Sequence, residues 1–254
     1  GAALVGPNVA ALASAGAAGY ALPARTLGPT RDTRARPRRF VADASHEMRS
    51  PLTIIRATVD ESVSGPGPAV LTGSGLSAVS DATDRLVGIT ADLLLLARTE
   101  DGNLSRTFDP VDLSVAVAEA AREARHALGA DISLSLAPDL VVLADDTSLQ
   151  RLAGNLIDNA WRYSDGAPVT IRTSSTDRMA VLEVEDRGPG IAQADLDWIF
   201  EPFHRLRADR GAPSGTGLGL AIVRSLARSW GGRVSVQSRP GTGSTFRVEL
   251  PLRR

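Results

Sequence analysis

The chain has 254 residues, 43% of them hydrophobic, and a formal net charge of −1. That length fits two ordinary domains with packed cores, and the near-neutral charge gives no drive toward nucleic acid, so no nucleic-acid partner is expected. Cysteine is absent, which excludes disulfides and thiolate metal sites; all 28 basic residues are arginine, so any phosphate-binding cation is a planar, permanently charged fork.

The chain opens on Gly1 rather than methionine and reads as a fragment. Residues 1–22 are uncharged and rich in Ala, Gly, Leu and Val; Arg25, Arg31, Arg34, Arg36, Arg38 and Arg39 follow. An apolar stretch near the ~20-residue spanning length, then arginines, reads as the end of a membrane helix (1–24) and a basic juxtamembrane linker (25–36) entering the cytoplasm. Pro7, Asn8 and several glycines support the other reading, a flexible Ala/Gly leader.

A first helix is expected over roughly residues 37–64, opened by Pro37 and closed by Gly65-Pro66-Gly67-Pro68. Phe40, Ala44, Met48, Leu52, Ile55 and Val59 recur at steps of four or three and make one face apolar. His46 points away from that face and has Glu47 beside it, which suits a nucleophile with an adjacent general base. Pro51 cannot donate to the carbonyl of Glu47, so the helix is expected to bend or loosen there. A second helix is expected over roughly 76–98, where Val79, Ala82, Leu86, Ile89, Leu93 and Leu96 form a heptad seam. A lone hairpin cannot bury both seams, so a dimeric four-helix bundle is expected, with Leu52, Ile55, Leu86, Ile89 and Leu93 at its interface.

Glu100-Asp101-Gly102-Asn103 reads as a linker. Beyond it the periodicities alternate. Helices are expected over roughly 112–128, 146–163 and 218–230, and strands over roughly 132–136, 140–143, 168–174, 179–185, 233–238 and 244–250. This pattern fits an α/β two-layer sandwich.

Four short motifs in this second part carry chemistry. Asn155, Asn159 and Arg162 fall at i, i+4 and i+7 on one helix face; carboxamide oxygens suit Mg²⁺, and a guanidinium suits phosphate. Glu185-Asp186-Arg187-Gly188-Pro189-Gly190 follows a strand, where Asp186 can accept a hydrogen bond from an exocyclic amine and the glycines let backbone approach a ligand. Phe200-Glu201-Pro202-Phe203-His204-Arg205 offers an anchor for a polar segment, 206–216, which is expected to be a mobile lid. Gly215-Thr216-Gly217-Leu218-Gly219 precedes a helix, so its amides and the helix N-terminus can bind an anion without a lysine. No Gly-Lys-Ser/Thr occurs, which excludes a Walker loop.

The stretch from Phe40 to Thr53 resembles the phosphoacceptor box of dimeric sensor histidine kinases. The later motifs, in order, resemble the N, G1, F and G2 boxes of the ATP-binding domain that these kinases share with gyrases, heat-shock chaperones and mismatch-repair ATPases. The resemblance implies an all-α dimerisation and phosphoacceptor hairpin (37–101) followed by a catalytic ATP-binding domain (102–254). It implies that His46 receives phosphate from Mg-ATP, with Glu47 drawing off the imidazole proton, and passes it to an aspartate of a cognate response regulator. Asn159, assisted by Asn155, would coordinate Mg²⁺. Asp186 would recognise the adenine amine, and Tyr163 would line its pocket. Arg162 would take a phosphate-binding role often held by lysine. Gly188, Gly190, Gly215, Thr216, Gly217, Leu218 and Gly219 would cradle the nucleotide, and Arg205 would reach the terminal phosphate. Ser50 stands where Thr or Asn commonly positions water for dephosphorylation. The implied setting is the cytoplasmic part of a homodimeric bacterial inner-membrane protein, although only about ten residues separate Pro29 from the Phe40 box, too few for the usual HAMP relay. Two other readings stay open: a non-kinase ATPase of the same superfamily, against which the His46 box argues, and a degenerate kinase serving as scaffold or phosphatase, against which the intact Asn159, Asp186 and glycine boxes argue.

Overall fold

A computed structural model describes residues 32–63, 72–100, 108–164, 166–205 and 215–253. The expected membrane segment (1–24), most of the juxtamembrane linker and most of the expected lid (206–214) lie outside the described residues. Two compact units divide the chain, residues 1–46 and 47–254. The sheets, the cavity and every ion pair described below belong to the second.

Helix α1 is Asp32–Val63 and helix α2 is Gly73–Glu100. α1 runs through Pro51 as one element, so the expected loosening does not interrupt it. Leu52 (54% exposed) and Val59 stay in solvent, as do Val87 and Leu94, seven residues apart on α2. Ile89, expected at a dimer seam, is instead fully buried within the single chain. No described helix is long and apolar enough to cross a membrane.

Strand β1 (Asp109–Asp112) and strand β3 (Val141–Ala144) form a small antiparallel sheet. Between them lie helix α3 (Leu113–Leu128) and strand β2 (Ile132–Ser135). Asp112 caps α3 by accepting from the amides of Ser114 (2.8 Å) and Val115 (3.4 Å), and Gly129 ends the helix at φ +64°. Helix α4 (Asp146–Tyr163) is capped by Asp145, which accepts from the Ser148 amide at 2.7 Å. Strands β4 (Val169–Thr176) and β5 (Met179–Asp186) form a hairpin; helix α5 (Gly219–Ser229), β6 (Arg233–Arg239) and β7 (Gly243–Pro251) complete the chain. The main sheet has the order β2-β4-β5-β7-β6, antiparallel except for the β2–β4 pair.

The core lies between this sheet and α3, α4 and α5. Leu149, Leu152, Leu156 and Ile157 of α4, Ile222 and Leu226 of α5, and Ile171, Leu182 and Phe246 of the sheet are all essentially inaccessible to solvent. Each fully buried aliphatic side chain of this kind is worth about 1.5–3 kcal/mol relative to exposure. The Thr99 and Ser225 hydroxyls join α2 to α5, and an Asp92–Arg151 ion pair joins α2 to α4.

The opposite face of the sheet carries a ladder of ion pairs. Arg172 meets Glu185 at 2.7 Å, Arg247 meets Glu183 at 2.7 Å, and Glu249 lies between Arg233 and Arg247. The hydrogen bond from Arg233 holds the Glu249 carboxyl below the usual glutamate range, against an opposing effect of burial and with both arginines adding attraction. A depressed carboxyl stabilises the fold above the unfolded-state value and loses that contribution as pH falls through the folded-state value. Glu249→Gln should therefore melt below wild type at pH 7, and the gap should close as the two proteins are scanned toward pH 3. A gap that stays constant across that scan would remove electrostatics as the cause.

Candidate active site

A cavity of 540 Å³ opens where α4, the end of β5 and the start of α5 meet. The helix phase explains its floor. Leu149, Leu152, Ala153, Leu156, Ile157 and Ala160 take the inner face of α4. That leaves Asn155, Asn159, Arg162 and Tyr163 on the side that lines the cavity. Arg162 reaches back one turn to Asp158 at 2.5 Å.

Asp186 closes one end. It is 4% exposed, and its Oδ1 accepts from the Gly188 amide at 2.8 Å and the Ser244 amide at 3.2 Å. Burial pushes its carboxyl above the usual aspartate range; the bonds from Gly188 and Ser244 oppose that rise, and Glu185 adds to it. A buried carboxylate with no cationic partner costs stability, and such groups cluster at functional sites. Gly190 sits at φ +70°, where a Cβ would come within 2.1 Å of the Arg239 carbonyl. Only glycine lets this loop lie so flat on the β6–β7 turn.

Ile191, Ile199 and Phe246 supply apolar wall. Phe200 packs edge-on against Phe246, ring centres 6.4 Å apart, and so fixes the segment before Arg205. Gly215, Thr216, Gly217 and Gly219 line the mouth. Among the described residues no side chain caps the start of α5, and its first amides can bind an anion. Leu218 is fully buried and anchors this loop from behind, and Gly188 packs beneath the Tyr163 carbonyl; neither is among the cavity-lining residues.

Arg205 lines the cavity as well. The catalytic candidates of α1 stand on that helix: His46 and Ser50 are exposed, and Glu47 is half-buried. The Glu47 carboxylate accepts from Arg85 of α2 at 3.3 Å.

The arrangement suits an adenine nucleotide: a buried acceptor at one end, apolar walls, and amides, arginines and helix-terminal donors at the other. Comparison with known proteins agrees. The His Kinase A (phospho-acceptor) domain matches residues 37–102, and the Histidine kinase-, DNA gyrase B-, and HSP90-like ATPase domain matches residues 144–254. The chain belongs to the sensor histidine kinases. Sensor protein CutS of Streptomyces coelicolor is 38% identical over 84% of this chain and 52% of its own length. The probable sensor histidine kinase TcrY of Mycobacterium tuberculosis is 40% identical over 85% of this chain and 46% of its own. The chain thus spans about half the length of these relatives. Among solved structures, the Acinetobacter baumannii histidine kinase AdeS aligns over 82% of this chain and 98% of its own, with a TM-score of 0.68 and 25% identity.

In this sensor histidine kinase, the cavity is also lined by Arg85, Asp92, Ser244 and His204, to none of which the motifs gave a role, and by the apolar Ile191, Ile199 and Phe246. Arg85 and Asp92 stand seven apart on α2, flanking the buried Ile89. Two charges on an otherwise apolar helical stripe were the available sequence signal for a polar neighbour there. Burial raises the Asp92 carboxyl, with Arg151 opposing.

Proposed function

We propose that this chain is the kinase half of a two-component sensor, which autophosphorylates His46 from Mg-ATP and passes the phosphoryl group to an aspartate of a response regulator. A ring nitrogen of His46 attacks the γ-phosphorus. The bond from phosphorus to the β,γ-bridging oxygen breaks, and ADP leaves with that electron pair. Glu47 accepts the proton from the other ring nitrogen. Asp186 accepts from the adenine amine, Tyr163 flanks the base, and Arg162, Arg205 and the Gly215–Gly219 amides bind and orient the phosphates. Transfer to the regulator moves the phosphoryl from nitrogen to a carboxylate oxygen. The Ser50 hydroxyl would orient water for hydrolysis of the regulator's aspartyl phosphate.

The amides of Asn159 and Asn155 fit Mg²⁺ as hard oxygen donors beside the phosphates, whose charge the ion would neutralise. Among the described residues no cluster of His, Cys, Asp or Glu could hold a metal alone, in keeping with an ion that shares its ligands with the nucleotide. The exposed Leu52, Val59, Val87 and Leu94 support a homodimer through α1 and α2. We assign residues 37–101 to dimerisation and phosphoacceptance, residues 102–254 to ATP binding, and the whole to the cytoplasmic side of a membrane protein.

The observation that carries the nucleotide reading is Asp186, a buried acceptor at the end of a cavity lined by Asn155, Asn159 and the glycine loop. The deciding experiment is incubation with γ-labelled ATP and Mg²⁺, followed by acid and base treatment of the labelled protein. Acid-labile, base-stable label is expected; a protein that hydrolyses ATP without such label would be the non-kinase ATPase. Asn159→Ala should slow autophosphorylation at least about a hundredfold at saturating Mg²⁺, the size of loss seen when one pre-organised electrostatic group is removed. A near-normal rate in that variant would deny Asn159 its metal role.

A further inference from the structure

Asn155 Nδ2 and His204 Nε2, on residues that line the cavity, are buried without a hydrogen-bond partner among the described residues. An orphaned buried polar atom is costly, and in a native structure it calls for an explanation. The family motif accounts for Asn155. It assigns nothing to His204, and the backbone holds that residue in place with some strain.

Phe203, just before it, has φ +61°, a conformation that a bulky aromatic residue rarely adopts. The strain is held by the glycine loop. The Phe203 amide donates to the Gly217 carbonyl at 2.9 Å, and Gly217 lies so close that a Cβ would sit 2.9 Å from Phe203 Cα and 3.0 Å from the His204 carbonyl oxygen. The His204 amide donates to the Glu201 carbonyl at 3.2 Å, and the Glu201 carboxylate is fixed by Arg224 at 3.0 Å. Strain maintained by several independent contacts is characteristic of functional sites. Its result here is an imidazole that lines the same cavity as Arg205, Thr216, Gly217 and Asn155.

We infer that His204 is a phosphate ligand of the bound nucleotide, with Nε2–H donating to a phosphate oxygen. This rests on the reading of the cavity as an ATP site and adds to it a residue whose only function there is to bind. An anionic acceptor selects the tautomer that carries hydrogen on Nε2 and satisfies the orphaned atom. The same anion accounts for the convergence of Arg162, Arg205 and the loop amides on this cavity.

The test compares wild type with His204→Phe, which keeps the ring and removes the nitrogen, and His204→Gln, which returns a donor. Binding of Mg-ATP, Mg-ADP and adenosine is measured by titration calorimetry, and unliganded melting temperatures are measured alongside. His204→Phe should bind ATP about tenfold to a hundredfold more weakly, the range for a hydrogen bond to a charged group. Adenosine affinity should be unchanged, and the unliganded protein should melt no lower than wild type. His204→Gln should recover part of the ATP affinity. An equal loss for ADP would assign the bond to the α or β phosphate, and a loss confined to ATP would assign it to the γ phosphate. ATP affinity unchanged in His204→Phe, or adenosine weakened as much as ATP, would overturn the inference. Wild type that binds neither ATP nor ADP would overturn the cavity reading, and this inference with it. Should His204→Phe not fold, His204→Asn, too short to place a donor at the Nε2 position, is held to the same comparison.

Discussion

His46→Gln should carry no acid-labile phosphate after incubation with γ-labelled ATP and Mg²⁺, and it should still bind ATP as wild type does. A carboxamide is not a nucleophile toward phosphorus at neutral pH, whereas an imidazole with an adjacent base is. The substitution is conservative for the fold. His46 is exposed on a helix, Gln is a good helix former, and surface changes of this kind stay within about 0.5 kcal/mol. Neither of the other two histidines is a substitute. His126 stands in the last turn of α3 between Arg125 and Ala127, with no carboxylate next to it in the sequence, and His204 lines the cavity as a binding residue. The measurement is the label remaining after base and after acid, set against nucleotide affinity from calorimetry. Base-stable, acid-labile label persisting in His46→Gln would move the phosphoacceptor elsewhere.

The parts of the site that were legible in the sequence are those written in local periodicity. Asn155, Asn159 and Arg162 could be placed on one face because the buried residues of α4 interleave with them at helical spacing. The glycine motifs were legible because a chain that lies flat on a neighbour's backbone can use little else, as Gly190 does against Arg239. Strand β1 was not legible. Asp109-Pro110-Val111-Asp112 has one branched apolar residue and a proline, and it is a strand only because β3 lies beside it on one side. The heptad on α2 was visible, but its partner was not. The same stripe can face a second copy or the rest of the same chain, and Ile89 does the latter, while the exposed Val87 and Leu94 lie one position off the stripe. Arg85, Asp92 and His204 reach the cavity through tertiary packing, of which the two charges on the apolar stripe of α2 were the one local sign. Leu218 shows the converse: its place within a phosphate-binding motif suggested a contact, but the glycines around it make the mouth while its side chain holds the loop to the core.

Asp186→Asn should weaken ATP binding and, in the same protein, raise the stability of the unliganded fold. Both effects come from burial. The folded state holds the Asp186 carboxyl above its ordinary range, chiefly because of desolvation, which the amides of Gly188 and Ser244 only partly offset. A carboxyl raised on folding penalises the native state once it must ionise. The penalty is absent below the unfolded-state value, grows as pH rises from there to the folded-state value, and is complete above it, so it acts at neutral pH and fades in acid. Asparagine is neutral and of the same shape, and its Oδ1 can still accept from both amides. The melting temperature of Asp186→Asn should therefore exceed that of wild type at pH 7, and the difference should shrink as pH is lowered toward 3. Binding moves the other way. The carboxylate offers the adenine amine a charge-assisted bond in a desolvated setting, and loss of such a bond costs about 1.5–3 kcal/mol, or roughly tenfold to more than a hundredfold in affinity. A scaffold residue would lose stability and affinity together. A site that keeps a costly charge for its ligand gains stability when the charge is removed and loses only the ligand. Calorimetric affinity for ATP and melting curves at two pH values separate these cases, and an Asp186→Asn protein that melts below wild type at pH 7 while binding ATP normally would refute the role assigned to this carboxylate.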